Sequence, residues 1–139
     1  VQLALGALGG ALAIRFNRPR RGGSRPGLGR GELRRWALFL VAAALIYVGF
    51  AIWNGAPEGW LGIELVGLAV YGGLALVGWL RWPLLVGAGW LAHGMWDLCL
   101  HPFGSPGFVP SWYPGVCIGF DTWVGMTLMW RTGTRRPRE

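Results

Sequence analysis

The side chains able to do chemistry crowd into one stretch of an otherwise apolar chain, where His93, Asp97 and His101 recur every four residues. On an α-helix a step of four advances about 40° beyond a full turn, so the three form one slowly winding stripe. Both histidines of the chain are in it. Glu64 lies in the preceding apolar segment and Asp121 in the following one. Two imidazoles with three carboxylates make a ligand set suited to iron, zinc or manganese. Helical i,i+4 spacing is also how one helix shares a metal with its neighbour. The residues therefore read as a metal site, with His93, Asp97, His101 and Asp121 as ligands and Glu64 as a further ligand or general base. Two other readings stand beside it. One is a polar pocket that binds substrate or moves protons; the other is a structural hydrogen-bond network in which Asp97 orients a histidine. A histidine among apolar residues also serves haem or pigments, and Gly89, one turn before His93, leaves space for a macrocycle. The carboxylate of Asp97 beside it suits that use less well than a metal ion.

The elements that must position these residues follow from composition. The chain has 139 residues, 53% hydrophobic and only 14% charged, with a mean hydropathy of +0.42. That is a membrane composition, and the expected fold is all-α: one polytopic transmembrane helix bundle forming a single domain. Five spans are predicted, over 1–14, 36–53, 60–80, 84–100 and 115–130, with a basic loop at 15–35 and a proline- and aromatic-rich loop at 101–114. The first run would cover about 21 Å as a helix, short of a hydrocarbon core of roughly 30 Å, so further residues are expected ahead of Val1. It contains Gly6-x-x-x-Gly10, a spacing that lets helices approach closely. On the third span Gly67, Tyr71 and Gly78 share the face of Glu64, which should look into the bundle.

The net charge of +7 would in a polar protein suggest nucleic acid. Here all 13 basic residues are arginine and fall between or after the apolar runs, which excludes a nucleic-acid partner and points to topology-setting charge at a membrane surface. Eight follow the first run, one (Arg81) follows the third and four follow the last, while the loops at 54–59 and 101–114 have none. By the positive-inside principle the first span starts outside and the C-terminus is cytoplasmic, in a multi-pass protein of the bacterial inner membrane whose partners are lipids and other membrane subunits. The arginine-only usage fits a GC-rich bacterial genome. His101 is then expected at the outer surface, with Asp97 and His93 about 6 Å and 12 Å below it. Ionisable groups at such depth face a cavity or one another.

The 101–114 loop carries four prolines and is long for an interhelical connection, so its aromatics either fold back over the site or anchor in the interface. Trp96 and Trp123 lie inside spans near the acidic groups, where an indole N–H could donate to a carboxylate. Cys99 and Cys117 sit near the outer ends of adjoining spans. A bridge between them would turn Asp97 away from Asp121, so two free thiols are expected, with Cys117 near the cluster.

The string His93-x-x-x-Asp97-x-x-x-His101-Pro102, followed by Pro110-x-x-x-Pro114-x-x-Cys117-x-x-x-Asp121, resembles an uncharacterised family of small multi-pass bacterial membrane proteins. The resemblance covers about the last 50 residues and implies a site in the last two helices, without an activity. A looser likeness to membrane carotene-cleaving oxygenases rests on His93-Gly94-x-x-Asp97; the additional histidines of those enzymes are absent here. Two functional classes follow. The first is a membrane metalloprotein whose site, near the outer face, acts on a lipid-soluble or periplasmic substrate. The second is a non-catalytic accessory subunit of a larger photosynthetic or respiratory membrane complex, which the glycine-rich first span and tryptophan-rich surface would suit.

Overall fold

The computed structural model describes residues 1–17, 28–102 and 107–133. Arg18, Arg20, Arg21, Arg25, Arg135, Arg136 and Arg138, counted above for topology, lie outside these residues, as does the loop segment 103–106. Five α-helices make up the fold, and the described residues contain no strand: α1 Gln2–Asn17, α2 Arg30–Trp53, α3 Trp60–Leu80, α4 Leu84–Leu100 and α5 Tyr113–Gly133.

Four of the predicted segments match these helices to within three residues at either end. The second does not, because α2 starts six residues earlier, at Arg30. Together with the extension of α1 to Asn17, this shortens the expected 15–35 loop from both sides. Hydropathy stops at the charges of Arg30, Glu32, Arg34 and Arg35, whereas helical periodicity runs through them: Leu33, Trp36, Ala37 and Leu40 are all buried on one face. Between α2 and α3 the turn reverses at Gly55 (φ 67°) and Gly59 (φ 84°), left-handed conformations that glycine adopts without strain.

The packing order is α1 on α5, α5 on α4, α4 on α3 and α3 on α2, with α2 also touching α4. Glycines set the closest approaches. A Cβ on Gly6 would collide with the Val116 carbonyl, and one on Gly119 with the Leu3 carbonyl. The Gly6-x-x-x-Gly10 pattern of α1 thus meets a matching Gly115-x-x-x-Gly119 on α5, a pairing the sequence reading missed. Gly87 and Gly125 do the same for α4 and α5: a Cβ on either would lie within 3.1 Å of the other's carbonyl oxygen.

Trp36, Leu40, Tyr71, Val86, Trp90, Val124 and Leu128 form the main core, where the Trp90 indole donates to the Trp36 carbonyl at 3.3 Å. Outside it the usual order of polarity is inverted. Leu38, Val66, Met95 and Met126 are more than half exposed, while Glu32, Glu64, His93, Asp97, His101 and Asp121 are buried. By length and composition, α2 and α3 are apolar enough to cross a membrane; α4 is apolar but shorter.

Candidate metal centre

α4 carries the site because its buried face holds Gly94 between His93 and Asp97. A Cβ at position 94 would lie 3.2 Å from the Asp121 Cβ, so glycine lets α5 bring Asp121 alongside. The His93 Nδ1 then stands 2.7 Å from Asp121 Oδ2, within hydrogen-bonding distance, and 3.9 Å from Asp97 Oδ2. Tyr71 closes one side of the imidazole edge-on, with ring centroids 5.0 Å apart, and Tyr47 another at 5.8 Å. The Tyr71 hydroxyl is held by the Ala92 carbonyl at 3.2 Å.

Asp97 is completely buried, and its carboxylate meets His93 at 3.9 Å and the Tyr47 hydroxyl, neither as a well-aligned hydrogen bond. Buried polar groups are ordinarily paired, and an isolated carboxylate far from water is costly. One ligand atom from each of His93, Asp97 and Asp121 lies within 4.8 Å of the other two, an arrangement that could hold a metal ion. Four-coordinate zinc with bonds of 2.0–2.2 Å keeps its ligand atoms about 3.3–3.6 Å apart. The observed 2.7 and 3.9 Å lie on either side of that value, and all three ligand atoms fall within 4.8 Å of one another.

His101 and Glu64 do not belong to this group. The His101 Nε2 is 2.9 Å from Glu64 Oε1, but off the line of a hydrogen bond, and both ring nitrogens are left without one. The separation has a simple origin: two steps of 40° carry the stripe about 80° around α4, away from α5 and toward α3. Nor is His101 at a surface. It is fully buried, because the loop folds back and stands Phe108 edge-on to its ring at 5.5 Å, with Trp60 at 5.5 Å and Tyr47 at 4.7 Å. Asn54 fastens this cover by donating to the Phe108 carbonyl at 2.7 Å. Of the two uses expected for the loop aromatics, Phe108 adopts the covering one. Exposed Trp112 stays outside.

Tyr47 joins the two groups. Its ring touches both histidines, and its buried hydroxyl lies against Asp97 without a well-aligned hydrogen bond. A crevice too tight for a water molecule lies between α2, α3 and α4, lined by Ala44, Tyr47, Glu64, Leu68, His93 and Trp96. The sequence carried a signal for Tyr47 that went unread: Leu40, Ala44, Tyr47 and Ala51 continue the buried stripe of α2.

Other expectations need correction. The Trp96 indole lies over Gly67, and Trp123 packs on Gly10 of α1, so neither donates to a site carboxylate among the described residues. The space at Gly89 is filled by Leu40, 2.6 Å from where a Cβ would stand, which leaves no room for a macrocycle there. Cys99 is exposed and Cys117 half-buried, both free, and Cys117 is close enough to Asp97 and Asp121 to feel their charge.

Together these features define a helical protein with a buried histidine–carboxylate group that could hold a metal ion. No family model, curated protein or solved structure matches the chain.

Proposed function

We propose that this is a multi-pass membrane metalloprotein, its helices crossing five times, with a divalent ion (iron, zinc or manganese) held by His93, Asp97 and Asp121. The observation that carries the metal reading is Asp97, fully buried beside a second carboxylate and an imidazole with no well-aligned hydrogen bond to its oxygens. No lysine or arginine is near enough among the described residues to neutralise the pair, and a cation would. A bound ion of this kind supplies Lewis acidity and acidifies a coordinated water. The chain's own part is to exclude water with Tyr47 and Phe108. The substrate would be lipid-soluble or periplasmic. Glu64 remains the candidate base.

The membrane reading is supported by the inverted polarity, apolar side chains outward and ionisable ones inward. The arginine distribution supports an outer-facing 101–114 loop and a cytoplasmic C-terminus, in the bacterial inner membrane. The second reading, an accessory subunit of a larger membrane complex, draws on α1, whose leucines at 3, 5, 8 and 12 are exposed on a helix of 16 residues. Co-purification with a pigment- or haem-bearing assembly would select it.

Elemental analysis of the detergent-purified protein tests the metal. At least one divalent ion per chain is expected, and His93→Ala and Asp121→Ala should each lower occupancy tenfold or more while the protein still inserts. Absence of stoichiometric metal in the intact protein, after loading as well as on isolation, would overturn the reading. A reporter fused after Glu139 should read cytoplasmic and one placed in the 101–114 loop external; the opposite result would reverse the topology.

A further inference from the structure

Three cross-helix contacts gather cation-bearing segments at one end of the bundle, away from the histidines. Arg35 at the start of α2 donates to the side chain and the carbonyl of Asn17 at the end of α1, at 3.2 and 3.0 Å. The Arg34 guanidinium stands 5.8 Å over the Trp79 ring near the end of α3, and Arg131 of α5 pairs with Glu32. Arg15, Arg30, Arg34, Arg35 and Arg81 are all exposed there. Among the described residues, the one carboxylate at this end is Glu32, buried and already engaged by Arg131, so no exposed acid offsets these five charges. Exposed Glu58, in the turn between α2 and α3, lies at the opposite end. Apolar side chains stand beside the cations: Phe16 follows Arg15, Trp82 follows Arg81, and Leu38 lies one turn after Arg34, each more than half exposed.

We propose that this end of the bundle binds the headgroups of anionic phospholipids, with Arg34, held over Trp79, as its anchor. The inference rests on the membrane reading above and narrows its lipid partners to anionic ones. A guanidinium stacked on an aromatic face keeps its N–H edges free to donate to a phosphate in bidentate fashion, whereas Arg35 has spent its own on Asn17. The remaining exposed arginines add to the field, each strengthening association with an anionic surface about fivefold. A soluble polyanion needs cations alone. Cations rimmed by exposed apolar side chains fit an amphiphile instead, its phosphate at the charged end and its acyl chains along the helices. Arginines that merely set topology during insertion would leave the folded protein indifferent to headgroup charge, so the two uses can be separated.

The test counts bound lipids. Full-length protein in detergent is titrated with dioleoyl phosphatidylglycerol and with dioleoyl phosphatidylcholine, and lipid-bound protein is measured by native mass spectrometry. Phosphatidylglycerol is expected to bind at least about tenfold more tightly, and added sodium chloride should shrink that ratio by screening the arginines. Arg34→Gln should weaken phosphatidylglycerol binding about fivefold, with phosphatidylcholine binding and α-helical circular dichroism unchanged. Arg34→Lys, which keeps the charge, should bind phosphatidylglycerol more tightly than Arg34→Gln. Equal binding of the two lipids would overturn the inference and leave the membrane reading intact. A protein that stays soluble without detergent and floats with vesicles of neither lipid would overturn both. Displacement of the lipid by inorganic phosphate would show a site for the free anion, and a preference unchanged in Arg34→Gln would put the binding elsewhere; either result sinks the proposal.

Discussion

Two buried polar clusters lie toward opposite ends of α2, and they handle charge in opposite ways. Near its N-terminus Glu32, 3% exposed, receives both Nη atoms of Arg131 from α5, at 2.5 and 3.0 Å. That bidentate fork satisfies both carboxylate oxygens and ties the start of α2 to the end of α5. Toward its C-terminus, around Tyr47, three carboxylates and two imidazoles converge with one evident hydrogen bond, His93 to Asp121. The first cluster is finished by the chain itself and reads as a clamp. The second pairs His101 with Glu64 at 2.9 Å but leaves Asp97 without a well-aligned bond, and on the proposed reading a cation completes it.

Substitution should divide the two most sharply. Asp97→Asn removes a buried carboxylate whose contacts, to His93 at 3.9 Å and to Tyr47, are poorly aligned. It is expected to lower metal occupancy at least tenfold, yet to leave the metal-free protein as stable as before or more so, by about 1–3 kcal/mol. Arg131→Met is expected to do the reverse: full metal occupancy, with stability lowered by roughly 2–4 kcal/mol because Glu32 is left buried without its partner. Thermal unfolding with and without chelator, beside elemental analysis, reads both. If Asp97→Asn destabilises the metal-free protein as severely as Arg131→Met, the second cluster is a structural network and the contrast disappears.

A smaller effect is expected away from both clusters. Gly119→Ala puts a methyl group into the Leu3 carbonyl of α1, and overpacking of this sort costs about 1–3 kcal/mol. Since α1 contacts α5 on the side away from His93, metal occupancy should hold. A loss of metal in this variant would mean that α1 fixes the rotation of α5, and with it the position of Asp121.

What the sequence disclosed, and what it hid, follows the same physics. Periodicity and hydropathy located the helices, and i,i+4 spacing put His93 and Asp97 on one face of α4, because both are local properties; Asp121 had to be brought beside them from the next helix. The single site expected of five residues became two groups, since position along a helix says nothing of rotation about it and His101 had wound round to α3. Its burial under Phe108 depends on the path of a loop that carries no periodic signal. The Glu32–Arg131 pair joins residues 99 apart, and the arginine count had placed Arg131 at the membrane surface without reading Glu32 at all. Gly115 and Gly119 were visible as a spacing, but their partner on α1 emerges only once two helices are in contact.

The smallest expected effect concerns the cysteines, and it sharpens the same contrast between a finished and an unfinished region. Cys99 is exposed on α4, on the side of the helix opposite Asp97, while Cys117 is half-buried on α5 one turn before Asp121. A thiol-reactive probe should therefore label Cys99 within minutes in detergent and in membranes that admit it, and Cys117 far more slowly. Mass spectrometry of unreduced protein should show no bridge, because opposed directions around the helix prevent the Cβ atoms from converging. Cys117 also reports on the neighbouring site. An ion drawing His93, Asp97 and Asp121 together should tighten the turn of α5 that carries it, so manganese(II) loading is expected to slow Cys117 labelling by a few-fold and leave Cys99 unchanged. Equal slowing at both cysteines would point to a general effect of the metal on the probe, and faster labelling of Cys117 than of Cys99 would mean that α4 is rotated from the orientation that brings Asp97 to His93 and Asp121.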